Sequence, residues 1–145
     1  TYRGKTSDSF VGAPMADAES TLYRRLGGYD IIAKVVDDMF TALREDPAFV
    51  RFGAGRSIDS HNRARQLLVD QICQLSGGPC IYIGRDMKTS HAGLNISEAE
   101  WVANMQHATA ALVKNGVPES ERAEFLRLFE RYRGDIVEAP SKTAL

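Results

Sequence analysis

Apolar residues early in the chain recur with the period of a helix. Ile31, Ile32, Val35, Val36, Met39, Phe40 and Leu43 fall at i, i+1, i+4, i+5, i+8, i+9 and i+12, which is one wide helical face. Asp30 is placed to cap it. Ahead of it, Thr21 can cap a short helix over Leu22 to Leu26, which Gly27-Gly28 ends. After it, Asp46-Pro47 predicts a short turn carrying Phe49 and Phe52, since Pro suits the first helical position. Gly53 to Ser57 reads as a loop.

From about Asp59 a second long helix runs to Leu75, with Ala64, Leu67, Leu68, Ile72 and Leu75 inward and Gly77-Gly78-Pro79 as its stop. Cys80 to Ile83 has no strand to pair with, so it is expected as an extended connector. A turn around Met87 to His91 follows. Ser97 with Glu100 spells a capping box for a helix bearing Trp101, Val102, Met105, Ala108, Leu112 and Val113. Asn115-Gly116 closes that helix and Pro118 opens the last one, whose inner face is Phe125, Leu126, Leu128, Phe129, Tyr132 and Ile136. The pattern is that of one all-α domain over residues 20–138. Residues 1–19, rich in Ser, Gly, Ala and Asp, read as an N-terminal tail or extension, and 139–145 as a C-terminal tail.

Composition narrows the function classes. With 18 basic and 19 acidic residues in 145, the chain lacks the basic footprint of a nucleic-acid binder. No apolar run approaches the length of a membrane span. The chain opens on Thr1 rather than Met, which leaves room for an upstream export signal. Cys73 and Cys80 fit either a reduced pair or one local disulfide, and their number does not choose.

The segment with chemistry in it is Leu75 to Ile96, a Gly-rich stretch between two long helices that contains His91. Histidine is the commonest metal ligand and the usual anchor of haem iron. A single His is nonetheless more often a satisfied surface residue than a ligand, so His91 needs context.

That context is an ordered series of motifs. Leu22-Tyr23-Arg24-Arg25-Leu26-Gly27-Gly28, followed by the Val35 to Phe40 helix, resembles the opening of the truncated globins. Gly77-Gly78-Pro79, then Tyr82, Gly84, Met87-Lys88, His91 and the Ile96 to Trp101 helix start, are similar to that family's middle. Gly116-Val117-Pro118 resembles its break before the last helix. The likeness covers about residues 22–138 and is greatest to the subgroup called group one, in particular its exported bacterial members.

The resemblance implies a two-over-two helical sandwich with a short or absent first helix and an extended proximal loop. It implies haem b (iron protoporphyrin IX) held by His91 as the proximal iron ligand. Phe52 then packs on the haem plane, and Tyr82, Met87, Leu94, Ile96, Trp101 and Met105 line the proximal side and edge. Arg63, Arg65 and Lys88 are the cations available to the propionates, as guanidinium and ammonium groups suit carboxylates. Counting back without gaps from Gly77 turns Ala64, Leu67 and Leu68 toward the haem. The stretch from Phe52 to Gly77 is longer than is usual in the family, and extra residues inside the helix would instead bring His61, Arg65 or Gln66 to the iron. His107 reads as structural.

Where the family usually has a Tyr that donates to bound oxygen, this chain has Phe40. A hydrogen bond of that kind contributes about 1 to 1.5 kcal/mol, so oxygen release is expected to be roughly tenfold faster without it. Similarity to exported members also implies a Cys73–Cys80 bridge and favours an exported or periplasmic location over a cytoplasmic one. The implied function is binding or transport of oxygen and other diatomic gases, including NO and CO, by a monomer or weak dimer. Nitric oxide detoxification is a further possibility within the family and would need an external electron donor. Alternatives are a haem-based redox or gas sensor, a peroxidase-like protein, or a cofactor-free helical interaction module.

Overall fold

The computed structural model describes residues 21–138, and the predicted tails at 1–19 and 139–145 lie outside this range. Helix α1 spans Leu22–Leu26, with the Thr21 hydroxyl accepting the Arg24 amide at 3.2 Å. Its stop is conformational: Gly27 has φ 112, and a Cβ there would meet Ile31 Cγ1 at 2.6 Å. Helix α2 covers Tyr29–Glu45. It starts two residues earlier than predicted and is capped by the backbone of Gly28, not by Asp30, which falls within the first turn. There its charge still favours the positive end of the helix dipole.

A short 3-10 turn, Pro47–Phe49, leads into α3, Val50–Gly53. Helix α4, Ile58–Leu75, starts from Ser57 and stops at Ser76, after which Gly77 turns with φ 98. The connector 80–86 is extended and joins no strand among the described residues. Helix α5 is the single turn Met87–His91. Helix α6, Glu98–Lys114, carries the predicted capping box in both directions. The final helix is not continuous. Helix α7, Glu119–Glu130, ends before α8, Arg133–Ile136, because the Tyr132 amide tightens onto Phe129 O, one residue short of the α pattern.

Helix α2 is the centre of the packing. One side meets α4, the other α6, and α6 pairs with α7, giving two layers of two helices. Ile32, Val35, Val36 and Met39 of α2 interlock with Val69, Ile72 and Cys73 of α4 and with Ala108, Ala111 and Leu112 of α6. Phe125 of α7 closes the cluster and is fully buried. Each large side chain so buried stabilises the fold by about 1.5–3 kcal/mol. The inner face of α4 is rotated from the predicted one. Val69, Gln71, Ile72 and Cys73 are buried, whereas Ala64, Leu67, Leu68 and Leu75 are half-buried along the flank.

Helix α1 is too short to persist alone and is held against the end of α4 and the start of α7. The Tyr23 amide donates to Ser76 O at 2.8 Å, and Arg25 forks onto Glu124 at 2.6 and 3.1 Å and reaches Glu121 at 3.1 Å.

Cys73 and Cys80 form a disulfide, with Cα atoms 5.7 Å apart, that staples the end of α4 to the connector. Closing so short a loop stabilises by about 2 kcal/mol on the chain-entropy account. The native mass should therefore gain the two thiol hydrogens only after a reductant is added. The Cys73→Ser, Cys80→Ser double variant should lose about 2 kcal/mol in urea unfolding. Free thiols in the untreated protein would contradict the bridge.

Candidate functional site

The route from α4 to His91 is tied down step by step. After the disulfide, the Tyr82 amide donates to the Gln74 side chain at 2.6 Å, and the Tyr82 hydroxyl donates to Arg85 O. Burial pushes the Tyr82 phenol above its ordinary value, so it stays a donor. Asp86 then caps α5 by accepting the Thr89 amide at 3.3 Å, and its bonds to Thr89 hold its carboxyl below the usual carboxylate range. The helix packs against α8.

His91 closes this turn in a defined pose. Its Nδ1 lies 2.9 Å from Met87 O, one turn back, and 2.9 Å from the Ser90 hydroxyl. A carbonyl can only accept, so with Nδ1 donating to Met87 O the lone pair is left on Nε2. Nε2 has no partner among the described residues. An imidazole with one nitrogen fixed on a backbone carbonyl and the other free is what a metal-bound His requires.

The predicted residues divide into groups. Tyr82 and Met87 line a pocket of about 240 Å³ together with Gln71, Leu75 and Tyr132. Phe40 and Leu68 rest on the common core, and Ala64 and Leu67 lie half-buried beside Leu68 on α4. Phe52 stands 5.9 Å from the Phe49 ring, under the Arg51 guanidinium. Trp101 and Met105 are not part of the Tyr82–Met87 pocket. They line an open groove of about 530 Å³ between α6 and α7, with Leu126 and Arg133. Ile96 makes an isolated parallel bridge to Val137, and Leu94 is exposed. Arg63 and Lys88 are exposed and make no ion pair among the described residues.

Of the residues of the alternative register, Arg65 and Gln66 are engaged elsewhere. Arg65 grips Asp37 of α2 with two nitrogens, and Gln66 donates to the Tyr29 hydroxyl at 2.8 Å and to Asp70 at 3.1 Å. His61 sits over Gly53, with its Cε1 3.5 Å from where a Cβ there would be. His107 bonds Asp46 at 2.8 Å and meets Phe49 edge-on, a structural role as expected.

Sequence reasoning missed Gln71 and Asn104. Gln71 is buried, and its amide reaches Met87 Sδ at 3.4 Å. Its spacing from Leu67 and Leu68, four and three residues, was the signal that could have found it. Asn104, on the buried side of α6, has its Oδ1 buried without a hydrogen-bond partner.

Such a donor set suits one kind of ion carrier. No cluster of three or more His, Cys, Asp or Glu among the described residues could hold a bare metal ion. A lone imidazole therefore fits a metal that brings its remaining ligands with it, as the iron of a porphyrin does. Phe40, Phe52, Leu67 and Leu68 are half-buried apolar side chains of the kind a flat macrocycle would require, and Asn104 Oδ1 is left without a partner among the described residues.

Comparison with known proteins identifies the family of the chain. Residues 21–138 match the family model described as bacterial-like globin. The group 1 truncated haemoglobin of Nostoc sp. (strain MUN 8820) is 30% identical over 118 residues, covering 81% of this chain and 98% of that protein. The corresponding protein of Tetrahymena pyriformis is 26% identical, covering 81% and 94%. The chain belongs to the truncated haemoglobin family. A crystal structure of a single-substitution mutant of the Tetrahymena pyriformis truncated haemoglobin, in the Fe(III) form, superposes with a TM-score of 0.75 at 25% identity, covering 81% and 98% of the two chains. The haemoglobin of Chloroflexus aurantiacus shares the fold at a TM-score of 0.70 and 23% identity, covering 83% of this chain and 100% of that one. Membership in the truncated haemoglobins means haem-based binding of diatomic gases. Among the described residues no helix is long and apolar enough to cross a membrane.

In this truncated haemoglobin the turn bearing Phe49 and Phe52 is anchored by Asp46. Its carboxylate accepts His107 Nε2 first and the Ala48 amide at 3.0 Å second, and both hold it below the usual carboxylate range. A depressed folded value means that the stabilisation is fully present above the ordinary carboxylate range and is lost as pH falls through the folded value. The melting temperature of the native protein should thus exceed that of Asp46→Ala at neutral pH, and the gap should close in acid. A gap that stays constant across that range would contradict the assignment.

Proposed function

We propose that this chain binds one haem b through His91 Nε2 and holds oxygen, NO or CO reversibly on the opposite face. The observation that carries the reading is the Nδ1 contact to Met87 O, which fixes the tautomer and aims a free lone pair away from the helix. Bound haem supplies the gas-binding iron, and the protein sets how firmly a ligand is kept.

Each side of the pocket has a distinct role. Met87 orients His91 through its carbonyl, and Tyr82 and Met87 line the neighbouring pocket. Phe40, Ala64, Leu67 and Leu68 give a distal wall without a hydrogen-bond donor. The pairing of Arg65 with Asp37 and of Gln66 with Tyr29 supports the ungapped register, in which those residues stay away from the iron. Arg63 and Lys88 are the cations free to meet the propionates. Phe52 packs on the haem plane. Turnover of nitric oxide to nitrate would draw electrons from an external donor.

Two measurements test this. The purified haem-loaded protein should show a Soret band that His91→Ala loses while keeping its helical circular dichroism. A folded His91→Ala protein with an unchanged band would overturn the assignment. The variant Phe40→Tyr should slow oxygen dissociation roughly tenfold, the worth of one added hydrogen bond. An unchanged rate would mean that Phe40 does not face the ligand.

A further inference from the structure

The segment that leaves His91 makes only two backbone bonds back to α5, Ala92 N to Thr89 O at 3.4 Å and Leu94 N to His91 O at 3.2 Å. Residues 92–96 have no regular structure, and Asn95 sits at φ 59, a left-handed conformation that persists in a non-Gly residue only when its surroundings impose it. Two distant side chains impose it. Glu138 accepts the amides of Gly93 at 3.1 Å and Asn95 at 2.8 Å. Arg51 takes the carbonyl side, donating to Leu94 O at 2.8 Å and to Asn95 O at 3.3 Å.

The same guanidinium reaches further. It meets Glu100 Oε1 at 2.8 Å, the oxygen that also accepts the Ser97 amide at the start of α6. It lies 4.0 Å from the centre of the Phe52 ring. Arg51 meets these three acceptors with two nitrogens of a planar fork, a spread that the single ammonium of lysine does not reproduce. The Arg51 side chain is 48% exposed, so its ion pair with Glu100 contributes little by charge alone. What it supplies is geometry.

Resting on the reading that His91 carries the haem iron, we infer that Arg51 is a positioning residue for His91. It locks the segment leaving His91 to the short helix that carries Phe52. One guanidinium thereby sets both the axial imidazole and the ring placed against the haem.

The test uses the haem-loaded ferrous protein and the iron–histidine stretching band in resonance Raman, together with the rate of haem loss to a scavenging apoprotein. Arg51→Met should shift or broaden that band and speed haem loss roughly tenfold, the low end of the effect of removing a group that orients a metal-bound His. Arg51→Lys should restore neither. A lowered melting temperature with the band and the loss rate unmoved would show a merely structural role and overturn the inference. If Arg51→Met does not fold, Arg51→Lys and Glu100→Gln are read in the same way, and an unmoved band in both overturns it. His91→Ala serves as the control. A band that survives in His91→Ala removes the haem-ligand reading itself, whereas loss of the band there with no change in the Arg51 variants removes only the positioning role.

Discussion

A helix of one turn has too few internal hydrogen bonds to stand in water, yet Met87–His91 must hold an imidazole still. Its rigidity is borrowed. Asp86 caps its start, α8 packs along it, and the Cys73–Cys80 bridge limits how far the preceding connector can swing. Downstream, Glu138 and Arg51 take the backbone groups of residues 93–95. The hydrogen bond from His91 Nδ1 to Met87 O turns that borrowed rigidity into chemistry, since it decides which nitrogen is left to bind.

The opposite wall is built on another principle. Helices α2, α4 and α6 share one apolar cluster, and Phe40 and Leu68 are its margin. Packing fixes their positions, and no polar group is required there. Polar side chains nearby are turned to structural work: Arg65 clamps α4 to Asp37 of α2, and Gln66 reaches Tyr29. On the proposed reading the site would have a hydrogen-bonded proximal side and an apolar distal side, and the iron's own affinity, not protein hydrogen bonds, would govern how long a ligand stays.

Much of this was legible in the chain because the signals are local. Thr21, the Ser97–Glu100 capping box and the Gly77 and Gly116 stops act within one helical turn, and each falls where the sequence puts it. The proposal for His91 drew on its place in a series from Gly77 to Ser97. Asp30 was misread because the backbone of Gly28, held in a conformation open to glycine, starts the helix first. The break at Tyr132 was invisible, as the inner-face spacing of Phe129, Tyr132 and Ile136 continues through it. Arg51 and Glu138 were beyond reach for a plainer reason. Their partners lie 43 to 49 residues away, and no pattern along the chain announces a contact of that range. Gln71 stood within reach, on the face already assigned to Leu67 and Leu68.

The most direct test is a crystal structure of the haem-loaded protein with the iron located by anomalous scattering. The account predicts iron bonded to His91 Nε2, with Nδ1 still on Met87 O and Phe40 across the haem plane. Iron bonded to His61 or to no histidine of this chain would contradict it.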